Sequence, residues 1–180
     1  RGDWQSLALS LSNIGEVARA RGEFAESIAH DREALAALPA SERHSSVAAA
    51  VLVNQGQTLL ALGELDEARS CLRSALGMPF ASPENAANCL AACAGVVDDR
   101  TGGSRGVRLL GAATAMLRSH GVVLEPHDMA TWERSEASTR SQCPPAEWDA
   151  AFAAGLSMSV DEAIAYALDS IAADQEAADG

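Results

Sequence analysis

Residues 8–41, ALSLSNIGEVARARGEFAESIAHDREALAALPAS, return as residues 49–82, AAVLVNQGQTLLALGELDEARSCLRSALGMPFAS, at a constant spacing of 41. The identities include Ala8/Ala49, Leu11/Leu52, Asn13/Asn54, Gly15/Gly56, Ala20/Ala61, Gly22/Gly63, Glu23/Glu64, Glu26/Glu67, Arg32/Arg73, Ala34/Ala75 and Leu35/Leu76, and Phe24 meets Leu65. A period of roughly 20–50 residues marks a solenoid whose units bury their apolar faces only against their neighbours. That architecture points to a binding surface rather than a catalytic pocket.

Within the first unit, Leu7, Leu11, Ile14, Val17 and Ala18 recur at helical spacing and predict a helix over 5–20. Gly22 ends it. A second helix is expected over 23–38, with Phe24, Ile28, Leu35 and Leu38 on its inner face and Pro39 as its stop. The second unit repeats this plan over 45–62 and 64–76, with the turn at Gly63 and the close at Gly77 and Pro79. Ser82-Pro83-Glu84 is a helix start. A looser third pair is expected over 83–98 and 104–119, joined by Thr101-Gly102-Gly103.

Beyond Gly121 the repeat fades. Val122-Val123-Leu124 reads as an apolar linker packed on the preceding pair. A helix over 126–141 is anchored by Met129 and Trp132, and Cys143-Pro144-Pro145 breaks it. A short helix over 146–154 carries Trp148 and Phe152 and ends at Gly155. Ser159 to Glu162 form a capping box for a last helix to about Ala173. The organisation expected is three helical pairs within 1–120 (about 5–40, 45–80 and 83–119), a helical cap over 121–174, and a frayed acidic tail over 175–180. No segment reads as a strand.

Charge narrows the function classes. The formal net charge is −12 and the sequence pI about 4.6, a field that repels phosphate backbones, so no nucleic acid is expected on this segment. All 13 basic residues are Arg, so neither a Schiff-base lysine nor a P-loop lysine exists here. Four cysteines (Cys71, Cys89, Cys93, Cys143) make no disulfide framework in a chain of 180 residues, and the expectation is reduced thiols in the cytoplasm. No apolar run reaches membrane-spanning length, so no membrane association is expected. The start at Arg1 rather than Met reads as a fragment of something longer.

The paired helices resemble tetratricopeptide repeats. The resemblance rests on small residues mid-way along each first helix (Gly15, Gly56), Gly at the turn (Gly22, Gly63), an apolar residue two further on (Phe24, Leu65), small residues early (Ser27, Ala68) and late (Ala34, Ala75) in the second helix, and Pro39. It covers 5–80 well and 85–119 with departures, where Ala94 and Gly106 stand at the small positions. The stretch from Val107 to Leu168 is similar to the C-terminal end of large bacterial regulators. Its motifs are Arg108 to Ala113, Trp132-Glu133-Arg134, Trp148 to Gly155 and Ser159 to Leu168. Such proteins join a signal-transduction ATPase domain to a tetratricopeptide-like array, and many continue into a LuxR-type DNA-binding domain. The fold this implies is an all-α, right-handed solenoid of helical hairpins with a C-terminal helical cap.

Chemistry-bearing constellations are few. Cys89 and Cys93 lie four apart on one helix face and could form half of a zinc site, but no second pair follows at ligand spacing, so core cysteine is the better reading. His30, His44, His120 and His127 are scattered, and no Gly-x-Ser-x-Gly elbow exists. Catalytic, cofactor and metal residues are therefore expected to be none. The groove lined by the first helix of each pair offers Ser12, Glu16 and Arg19, then Val53, Gln57 and Leu60, then Ala91, Asp98 and Asp99. It lacks the basic pattern that clamps a free carboxylate. Trp4 is expected at an end open to a preceding repeat or to a second copy in a homodimer.

The function expected is a non-enzymatic module of a larger bacterial transcriptional or signalling regulator. It would bind a protein, peptide or small effector in the groove and bias the array against the parent's own ATPase or output domain. The alternatives are a free-standing adaptor or scaffold, and a thiol- or metal-dependent protein using Cys89 and Cys93.

Overall fold

Helix starts follow side chains that satisfy the orphan N–H groups of a first turn. In a computed structural model, which describes residues 3–97 and 104–179 (the side chains of 127 and 175–179 excepted), Asp3 Oδ1 accepts from the Ser6 N–H at 3.1 Å. Ser45 Oγ accepts from Ala48 N–H at 3.3 Å, and Ser82 Oγ from Asn85 N–H at 3.2 Å, with Pro83 in the first turn. The expected capping box forms: Glu162 Oε2 accepts from Ser159 N–H at 2.8 Å while Ser159 Oγ accepts from Glu162 N–H at 3.3 Å.

The described residues form α1 (Trp4–Ala20), α2 (Phe24–Ala37), α3 (Ser46–Leu62), α4 (Leu65–Leu76), α5 (Pro83–Val96), α6 (Arg105–Ser119), α7 (Pro126–Gln142), α8 (Pro145–Leu156) and α9 (Val160–Asp179). A 3-10 turn, Ala40–Glu42, follows Pro39. No strand occurs among the described residues; the fold is all-α, and α1 with α2, α3 with α4 and α5 with α6 form successive helical hairpins. Gly22 (φ 79°) and Gly63 (φ 81°) take the left-handed conformation between paired helices. There Glu23 N–H donates to the Ala18 carbonyl at 2.9 Å, and Glu64 N–H to that of Leu59 at 3.0 Å. The same helix-ending turn is thus made twice, at equivalent positions of the repeat.

The chain divides into two compact units, Arg1–Ala81 and Ser82–Gly180. The third pair groups with the C-terminal helices, because α5 packs on α7 and α9 as well as on α6, and α6 packs on α7, α8 and α9.

In the first unit α1 packs on α2 and α3, and α3 on α4. Ala8, Ala34, Leu38, Val47, Ala48 and Val51 form a buried cluster, with Trp4, Leu11, Leu35 and Met78 packed against it. Trp4 is therefore half-buried within its own unit. Gly56 sets the crossing of α3 and α4: a Cβ there would lie 2.9 Å from Cγ and Cδ2 of the fully buried Leu72. Gly15 plays the same part between α1 and α2, where a Cβ would lie 3.2 Å from Asp31 Oδ1 and from the Ser27 carbonyl.

In the second unit Gly111 and Gly155 bring α6 and α8 backbone to backbone. A Cβ on Gly111 would collide with the Phe152 carbonyl, and one on Gly155 with the Arg108 carbonyl. Gly155 was expected to end its helix; it lies inside α8, and close approach is what requires it. Val107, Cys143 and Ala151 are buried beneath Trp148 and Phe152, whose rings stack with centroids 6.4 Å apart. The Arg140 guanidinium covers the Trp148 ring at 4.0 Å.

Three expectations for this region change. Met129 is 46% exposed and anchors nothing, whereas Trp132 is half-buried and its Nε1–H donates to Asn88 Oδ1 at 2.9 Å. Val123 is 86% exposed, so the Val122–Leu124 linker packs only through its flanking residues. The last helix passes Ala173 and runs through the expected tail to Asp179. Asp174 is held there by Arg105, Nη2 to Oδ1 at 2.7 Å, and the residues that follow are mostly good helix formers.

Candidate functional site

The groove residues expected from sequence lie deeper than a contact surface. Ser12, Arg19, Val53, Gln57 and Leu60 are all buried in the folded chain; of those expected from the first two hairpins Glu16 alone is half-buried, and Ala91 is buried too. Asp98 and Asp99 lie outside the described residues. What the structure does bring together is a polar network between α1, α2 and α3.

Asp31 of α2 is at its centre, fully buried. The Ser12 hydroxyl donates to Asp31 Oδ1 at 3.2 Å. Asn54 Nδ2 of α3 donates to Ser12 Oγ at 3.0 Å and to Glu16 Oε1 at 2.7 Å. Beside them the Ser27 and Thr58 hydroxyls share a hydrogen bond of 3.0 Å, and Thr58 Oγ1 donates to the Asn54 carbonyl at 3.0 Å. Among the described residues, Asp31 Oδ2 and both polar atoms of the Gln57 amide are buried without a hydrogen-bond partner.

Burial pushes the Asp31 carboxyl up to about 7; the Ser12 hydrogen bond and the Arg19 charge pull against this, and the Glu16 charge adds to it. A carboxyl with no exposed surface does not reach a ligand. It is placed to alter the free energy of closing α1, α2 and α3 on one another, not to transfer protons to a substrate.

Cys89 and Cys93 are fully buried in α5, and Cys143 is buried beside Ser104, Oγ to Sγ 3.3 Å. The hydrogen bond with Cys93 and then burial push the Cys89 thiol well above its usual value. All four cysteines are free thiols. Among the described residues no group of three or more His, Cys, Asp or Glu is placed to hold a metal ion. No helix among them is long and apolar enough to cross a membrane.

Asp31, Asn54, Ser27 and Thr58 were missed by sequence reasoning. A signal existed: at the 41-residue spacing Ser12, Arg19, Ser27 and Asp31 stand opposite Val53, Leu60, Ala68 and Leu72. The first pair is polar where its copy is apolar, and such departures from a repeat mark positions with their own chemistry.

No curated protein and no solved structure matches the chain. The tetratricopeptide repeat family matches residues 6–78, which span α1 to α4 almost from end to end. Residues 6–78 are thus a tetratricopeptide-like region of two helical hairpins.

Proposed function

We propose that the chain is the non-enzymatic, partner-binding module of a larger bacterial transcriptional or signalling regulator, working in the cytoplasm. The observation that carries the reading is the match of residues 6–78 to the tetratricopeptide repeat, a fold that generally binds proteins or peptides without catalysis. The regulator context rests on the likeness of the stretch from Val107 to Leu168 to the C-terminal ends of such proteins. A protein, peptide or small effector docks on the first unit, with Glu16 and Asn54 at the accessible edge and the buried Ser12, Arg19, Val53, Gln57 and Leu60 beneath them, shaping the surface rather than touching the partner. Asp98 and Asp99 enter this reading by their place in the sequence alone. Docking shifts the population of arrangements available to the array and so its hold on an ATPase or output domain of the same parent.

The test has two arms. Reading the coding sequence on both sides of Arg1 and Gly180 decides the regulator context: a P-loop ATPase upstream or a helix-turn-helix downstream supports it, and neither leaves a free-standing adaptor. Affinity capture with wild-type chain and with Glu16→Lys then tests the surface. The partner should be lost from the variant while circular dichroism shows that it keeps its helical fold; equal capture by both sinks the assignment of Glu16.

A further inference from the structure

α1 carries an apolar stripe that no described part of the chain covers. Leu7, Ile14 and Val17 are 52%, 50% and 51% exposed. With Ser10 they advance by alternating steps of three and four residues, the spacing of a helix–helix seam. Asp3 continues the stripe at one end and Arg21 at the other, both exposed. Leu9 is exposed as well, but it lies off this line.

The internal repeat says what such a stripe is for. At the 41-residue spacing Leu7, Ser10, Ile14 and Val17 stand opposite Ala48, Val51, Gln55 and Thr58 of α3. All four of those are buried. Ala48 and Val51 pack with Ala34 of α2 and with Leu38 just after it, and Thr58 shares its hydrogen bond with Ser27 of α2. The face that α3 uses to seat a neighbouring helix is therefore present on α1, with larger apolar side chains and no described helix upon it.

The order of residues along the stripe identifies the helix that fits. Laid antiparallel on a second α1, Leu7 faces Val17, Ser10 faces Ile14, and Asp3 faces Arg21. Apolar residues meet at the centre and opposite charges at both ends, and the antiparallel sense also sets the N-terminus of each helix dipole beside the C-terminus of the other. A surface that complements itself under this operation is what an isologous two-fold interface requires. We infer that the Leu7–Ser10–Ile14–Val17 face of α1 is a docking surface for α1 of a second copy of this chain, paired antiparallel. The inference is independent of the partner reading above, because it concerns the outward stripe of α1 and not the edge at Glu16 and Asn54.

Sedimentation of the full 180-residue chain tests it, alongside Ile14→Arg and a mixture of Ser10→Cys and Ile14→Cys chains. The expected result is a reversible dimer, weakened on the order of a hundredfold by Ile14→Arg with helicity retained, since Ile14 is half exposed. The mixed cysteine chains should cross-link to each other faster than either cross-links to itself. A wild-type chain that stays monomeric overturns the inference and assigns the stripe to a neighbouring helical pair instead. A dimer that survives Ile14→Arg overturns it equally, as does a preference of Ile14→Cys chains to cross-link among themselves.

Discussion

Asp31 stands in the first hairpin where Leu72 stands in the second, each against the glycine at which its helices cross, Gly15 and Gly56. The two side chains have nearly the same reach and both are fully buried. One is a hydrocarbon in a close-packed crossing. The other is a carboxyl with one oxygen satisfied by Ser12 and the other buried without a hydrogen bond. The fold tolerates the exchange because Ser12, Asn54 and Arg19 replace apolar contact by polar contact around it, and the cost appears in its ionisation.

That cost gives a pH dependence of stability. The folded carboxyl titrates at about 7, well above the value of an unfolded Asp near 3.9. Between those values the unfolded chain releases the proton and the folded chain keeps it, so this group's contribution falls as pH rises; below and above the window it is flat. Asp31→Asn removes the ionisation and keeps the shape. Urea melts at about pH 5 and about pH 8 should show the variant gaining on wild type with rising pH, by on the order of 3 kcal/mol. Parallel stability curves for the two proteins rule the argument out.

The crossing of α6 and α8 makes a prediction of opposite sign. Gly155 faces the Arg108 carbonyl with no room for a Cβ, and the obstruction is backbone on both sides. Gly155→Ala gains about 1 kcal/mol of helix propensity and must still force the helices apart. The net effect expected is a loss of about 1–3 kcal/mol, as for other overpacked contacts. Gly77→Ala, with only the Ser74 carbonyl at 3.5 Å, is the control and should cost less. Equal denaturation midpoints for the two variants defeat the close-approach argument.

The first two hairpins were legible because each of their boundaries is a local signal. Asp3, Ser45 and Ser82 cap, Gly22 and Gly63 turn, and Pro39 stops, all within a few residues of the helix ends found. Burial was less legible. Leu7, Ile14 and Val17 share helical spacing with the core residue Ala18, and periodicity alone does not say which stripe meets α2 and α3. The polar network escaped because Asp31 reads as one more charge in a run with Arg32 and Glu33. Only its alignment with Leu72 marks it. Gly155 misled for the reason that made Gly22 and Gly63 easy: a glycine near a helix end serves equally as a turn or as a contact.

Arg105 holds the end of α9, donating from Nη1 to the Ser170 carbonyl at 2.9 Å and from Nη2 to Asp174 Oδ1 at 2.7 Å. The Asp174 side chain is only 6% exposed, so removing Arg105 takes a charged donor from a nearly buried carboxylate. Arg105→Ala should release the last turns of α9. Amide exchange over 170–179 should rise by at least about tenfold, the effect of roughly 1.4 kcal/mol, while the amides of α1 keep their protection. Unchanged exchange at the α9 end shows that the helix is held by other contacts.

Cysteine reactivity tests the reading of Cys89 and Cys93 as core residues. Attack on a thiol reagent requires thiolate and access. Both thiols are fully buried, one helical turn apart, and Cys89 is held far into its protonated form. Cys71 is half-buried, and burial pushes its thiol up to about 11. With an aromatic disulfide reagent, Cys71 should react slowly in the folded protein, and Cys89 and Cys93 only at the rate of unfolding. Denaturant should release all four at once. The same sample decides the metal alternative. Zinc bound in stoichiometric amount after purification, released together with reactivity of Cys89 and Cys93, identifies them as ligands that recruit a further donor. A metal-free protein with the graded reactivity leaves them as the small, apolar filling that lets α5 pack closely on its neighbours.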